Sequence, residues 1–170
     1  QKKMLDPTKT LREQNDQVKI LILAFLICLV VGVTIGLVYV YATESTTATG
    51  TVEHYRGSDV ADDFDIPEKY PKTFEGMLLI THTHVIAFAI IFLILGQLCA
   101  MNSIIVGWWK LFFLVEPFVS VLITFLSLWG IRYVSDSFSY LSIIFGILTY
   151  ASFYFIVLIV VLEILIRQKQ

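Results

Sequence analysis

The sequence predicts an all-α membrane protein: four transmembrane helices in a bundle, with an acidic outer loop between helices 1 and 2. Three observations predict this. The 170-residue chain is 57% hydrophobic and 15% charged, whereas a soluble domain carries about 25% charged residues. Its charges fall in short polar runs between long apolar ones. Four of those apolar runs meet the ~20 residues that ~30 Å of hydrocarbon demands.

The elements follow in chain order. Residues 1–17 form a polar N-terminal segment. The first span, 18–42, reads "VKILILAFLICLVVGVTIGLVYVYA". It is longer than a signal-peptide core, and no small-residue cleavage site follows closely, so it reads as a retained helix. Residues 43–75 form the long polar loop, and 76–102 the second span. A loop at 103–110 leads to the third span, 111–131. A turn at 132–137 leads to the fourth, 138–166, and 167–170 close the chain.

Basic residues orient the bundle. With both ends inside, Lys2, Lys3, Lys9, Arg12, Lys19, Lys110, Arg167 and Lys169 are cytoplasmic. Only Arg56, Lys69, Lys72 and Arg132 are outside. This bias places both termini in the cytoplasm and the long loop in the periplasm, or outside. Trp108 and Trp109 then mark inner helix ends, and Tyr39, Tyr41, Trp129 and Tyr133 mark outer ones. The loop is acidic. It opens with the flexible polar tract "TESTTATGT" and continues as "VEHYRGSDVADDFDIPEKYPKTF", a stretch able to pack as a cap on the membrane surface.

No catalytic motif is present. The chain lacks a P-loop, GxGxxG, HExxH and CxxCH, and it has no basic patch for nucleic acid. Cys28 and Cys99 lie at different depths, which argues against a disulfide. Chemistry-bearing residues are therefore sought among polar groups inside the spans, where each is costly unless it has a task or a partner. In the third span Glu116, Ser120, Thr124 and Ser127 share one face at spacings of three and four. Gln97 and Glu163 stand near the depth of Glu116. The spacing predicts a structural hydrogen bond from Glu116 to Gln97; a proton or quinone site is the alternative. Gly32 and Gly36 form a GxxxG pair, and Ser142 and Gly146 a similar small pair. Both suit close helix packing.

His82 and His84 sit in the outer third of the second span. Residues two apart on a helix diverge by about 200°, so a regular helix cannot aim both imidazoles at one ion. The spacing predicts His82 facing the bundle interior and His84 facing a second partner, either another helix of the chain or a neighbouring subunit. His54, in the loop, can fold onto the same end. Three readings compete: structural hydrogen bonding, a metal or haem site using His82, His84 and His54 (b-type haem, copper or iron), and proton or quinone chemistry.

The segments "EHYRG", "PKTFEGMLLITHTH", "FLILG", "EPF", "SLWGIRYVS" and "SF" resemble a family of small four-span bacterial inner-membrane proteins. Some members carry a misleading elongation factor-1 alpha label. The resemblance covers Gly50 to Glu163 and implies an architecture without a known activity. It draws attention to an outer-end polar cluster of Tyr55, Arg56, Glu75, Arg132 and Tyr133, with Trp129 beside it. The function this composition suggests is a small non-catalytic subunit of a larger membrane assembly, respiratory or electron-transfer in kind. It would be partnered by the lipid bilayer and by other membrane subunits or further copies of itself. A haem- or metal-binding redox protein and a small proton or solute transporter are the alternatives.

Overall fold

The computed structural model describes residues 9–44, 47–59 and 66–166. Residues 1–8 of the predicted N-terminal segment, residues 45–46 and 60–65 of the acidic loop, and the whole predicted C-terminal segment 167–170 lie outside the described residues. Five α-helices appear: α1 Asp16–Glu44, α2 Ala48–Arg56, α3 Phe74–Met101, α4 Trp108–Tyr133 and α5 Phe138–Leu165. Four of them, all but α2, are long and apolar enough to cross a membrane. A short 3-10 turn, Leu11–Glu13, precedes α1 and buries Leu11 completely.

α4 and α5 form the tightest pair and make an antiparallel hairpin. α3 lies against α4 and more lightly against α5. The apolar core sits between these three, around Phe92 and Leu95 of α3, Val121 and Ile131 of α4, and Phe153 and Val160 of α5. At the α4–α5 turn the backbones come very close. A Cβ added to Gly130 would collide with the Phe138 ring, so only glycine fits there.

α1 is attached unevenly. Val18, Ile22 and Leu26 are buried, but Ile27, Val31, Ile35 and Val38 are exposed. Beyond Leu26 its described polar ties to other helices are the Thr34–Tyr154 hydroxyl pair, 2.7 Å apart, and a bond between His54 of α2 and the Thr43 backbone. The GxxxG pair was expected to serve close packing. Within this chain it does not, because a Cβ on Gly32 or Gly36 would meet nothing within 4 Å. Gly146 is equally open, while Ser142 is buried.

The polar tract of the long loop is partly helical rather than flexible. Thr47 starts α2, its Oγ1 accepting the Gly50 N–H at 3.1 Å, which satisfies a free donor of the first turn. Tyr55 anchors the helix at 3% exposure. Gly57, at φ 96°, ends it in a conformation that favours glycine. The returning strand of loop is pinned by Ser58 N–H to Lys69 O at 3.0 Å and Lys72 N–H to Tyr55 O at 3.1 Å.

At the opposite end, Asn102 organises the α3–α4 connection. Its Oδ1 accepts from the N–H groups of Ile104 and Ile105, and its Nδ2 donates to Ile159 O. Lys110 Nζ donates to the carbonyls of Ala100 and Asn102, where a cation favours a helix C-terminus.

Gly130→Ala should lower the melting temperature of the detergent-solubilised chain, at a cost of roughly 1–3 kcal/mol for overpacking. Gly146→Ala, with open space around it, should leave the melt unchanged.

Candidate functional site

Two polar regions stand out, one at the α2 end and one inside the bundle. The α2 end is built by two arginines. α4 leaves its last carbonyls without intrahelical partners, and Arg56 from α2 supplies one, its Nε donating to Ile131 O at 2.9 Å. The same guanidinium pairs with Asp136 at 2.6 Å. Both partners are well exposed, so this ion pair contributes only about 0–1 kcal/mol. Arg132 reaches the other way. Its Nε donates to Lys72 O at 2.9 Å, and its charge lies 5.0 Å from the Tyr133 ring centre. Trp129 donates from Nε1 to Thr81 Oγ1 at 2.9 Å and stacks on Tyr133. Tyr55, Arg56, Arg132 and Tyr133 are thus gathered at one end of the bundle. Glu75 is exposed in the first turn of α3, where a carboxylate suits the helix dipole.

His54 sits half-buried on α2. Burial pushes its pKa down to about 4, Lys72 and Lys69 push the same way, and a bond to the Thr43 backbone opposes them weakly. His82 does not face the bundle interior as predicted, whereas His84 does meet another helix of the chain, α4. α3 is regularly helical through both, and both are exposed. His84 is the one held by the protein. Its Nδ1–H donates to Ile80 O at 2.9 Å, and its ring lies 5.6 Å from that of Phe125. His82 instead lines an open groove of about 290 Å³ between α3 and α4, with Thr81, Val85, Ile86, Leu122, Phe125, Leu126 and Trp129. The physical reason is rotation: α3 points Val85 and Thr81 between the two imidazoles, leaving one on each flank of its contact face. Among the described residues, no three His, Cys, Asp or Glu side chains group as metal ligands.

The second region lies between α4 and α5. Glu116, 8% exposed, accepts hydrogen bonds from Ser120 on its own helix and from Ser152 on α5. The predicted partner was Gln97, but that side chain is exposed and belongs to another face of α3. Ser152 was missed. Its signal was the run Ser142, Gly146, Thr149 and Ser152, which repeats at three and four and marks a single face of α5. Ser127, Ser139, Ser142 and Thr149 are buried along the same seam. Thr124 Oγ1 is buried there without a hydrogen-bond partner. Glu163, wholly buried, serves elsewhere: it accepts from Ser103 N–H at 2.7 Å and Ser103 Oγ at 3.0 Å.

A family model for a transmembrane helical domain, Aq_1264_TM, matches residues 45–170. The chain belongs to that family. It is a multi-pass membrane protein, and the matched segment contains both polar regions. No curated protein and no solved structure is significantly similar to it.

The pH dependence of the α2 end follows from His54. A folded pKa of about 4, below the ordinary 6.5, means the unfolded chain takes up the proton first as pH falls. Stability at this end is therefore greatest above about pH 6.5 and is lost between there and about pH 4. Limited proteolysis should show cleavage near α2 rising across that window. His54→Asn should flatten the dependence.

Proposed function

We propose that this chain is a small non-catalytic subunit of a larger membrane assembly. The observation that carries the reading is α1. A span that buries only its first few turns and leaves Gly32 and Gly36 bare offers a surface on which another helix backbone can approach closely. A lipid-exposed helix has no hydrophobic drive to associate, so small residues and van der Waals contact decide where partners sit. The α2 end supports the same reading. Its arginines hold backbone carbonyls and His82 lines an open groove, an arrangement that stiffens a surface without assembling a reaction centre.

In this reading the chain has four spans in a bacterial inner membrane, with both termini in the cytoplasm and the acidic 43–75 segment in the periplasm. An electron-transfer complex is the class of assembly it would join. The basic-residue bias supports the orientation.

Two experiments test it. Extracted in a mild detergent, the chain should migrate at a mass well above its own. The Gly32→Ile/Gly36→Ile double variant should fall to the free chain with its melting temperature unchanged. A wild type that runs free under the same extraction defeats the subunit reading. For orientation, Ser58→Cys should react with an impermeant maleimide in cells with opened outer membranes, and Gln168→Cys should not. The reverse pattern would invert the topology.

A further inference from the structure

Glu116 is a buried carboxyl group with no positive partner. Among the described residues no lysine or arginine forms an ion pair with it. Lys110, on the same helix, is spent on the carbonyls of Ala100 and Asn102. Arg132 is spent on Lys72 O, and Arg56 of α2 on Ile131 O and Asp136. On α5, Glu163 is held by Ser103, and Tyr154 by Thr34. Cys99 and His84 of α3 make no described bond to it. An uncompensated carboxylate in a dry interior is costly, so the site needs one positive charge.

We propose that Glu116, Ser120 and Ser152 form a binding site for one small monovalent cation, a proton or sodium. The donor set selects the class. Every contacting atom is an oxygen: two from the carboxyl and one from each serine. Oxygen suits hard cations, while soft transition metals favour sulfur and nitrogen. Charge selects the valence. One carboxylate balances one positive charge, and a divalent ion would leave an excess charge buried at a high cost. The serines suit both forms of the site, because a hydroxyl can donate to a carboxylate, accept from a carboxylic acid, or turn its lone pairs to a metal ion.

A line of buried hydroxyl groups runs from the site toward one end of the bundle. From Ser120 the seam continues through Thr124 and Ser127 of α4, against Thr149, Ser142 and Ser139 of α5. Ser139 bonds to Asp136 O at the bundle end. The unpartnered Thr124 hydroxyl lies one turn from Ser120 on this line, where a water or a passing ion would satisfy it. The inference does not rest on the subunit reading.

The test compares the purified full chain with Glu116→Gln, whose amide keeps the size and can still bond both serines. A ligand that binds only the folded state raises the melting temperature. The wild-type melt should rise by several degrees relative to Glu116→Gln as pH is lowered. A lipid-soluble carbodiimide gives a second readout. A protonated carboxyl passes its proton to one carbodiimide nitrogen while its oxygen adds to the central carbon. Acyl migration to nitrogen then leaves an N-acylurea that carries the whole reagent. Mass spectrometry should find it on Glu116, with a yield that falls as pH rises.

Sodium at fixed pH, with choline as the ionic-strength control, separates the two ligands. Protection from the reagent together with a higher melt identifies a sodium site in which protons compete. No effect of sodium identifies a proton site. The proposal is overturned if wild type and Glu116→Gln melt alike at every pH and sodium concentration, whatever the adduct yield.

Discussion

The seam between α4 and α5 is the contact on which the rest of this structure depends. Helices in lipid gain little by hiding apolar surface from one another, so close packing and shared hydrogen bonds must hold them. Here both operate along one line. Gly130 lets α4 come against the Phe138 ring, and buried serines and threonines fill the interface from Ser139 to Ser152. A carboxyl can be placed in such a seam because hydroxyls on two helices reach it. On any lipid-facing side of the bundle, Glu116 would have no partner.

Once that hairpin is set, its two ends become platforms. At one end the C-terminal carbonyls of α4, which lack intrahelical partners, attract Arg56, which draws α2 across the bundle, while Arg132 fixes the loop before α3 through Lys72. At the other, Asn102 ties the α3–α4 connection to Ile159 of α5, and buried Glu163 holds Ser103. Both ends use the same device. A side chain from one segment satisfies backbone groups that a helix end leaves open, so the loops are ordered by the helices they join. Over the later turns of α1 the described ties are fewer, the Thr34–Tyr154 pair and the bond between His54 and the Thr43 backbone, and much of the surface there stays free.

The outline was legible in the sequence for one reason: the bilayer sets a length, and long apolar runs declare themselves. The three- and four-residue spacing of Glu116, Ser120, Thr124 and Ser127 likewise marked a buried face before any neighbour was known. The histidine pair could be read only as far as its divergence. Which flank each imidazole took depended on the rotation of α3, and that is set by Val85, Phe92 and Leu95 packing against α4 and α5.

The sequence by itself determined that four helices are long and apolar enough to span, where the polar loop falls, and which residues of α4 share a face. Only the tertiary structure decided that Glu116 meets Ser152 rather than Gln97, that Arg56 caps α4, and that Gly32 and Gly36 stay bare. The division has a physical cause. Periodicity and hydropathy are properties of one helix and its solvent, and they are written locally. A hydrogen bond between two helices depends on their relative rotation and depth. Those are fixed by many weak contacts spread over the whole interface, none of which the spacing within one segment records.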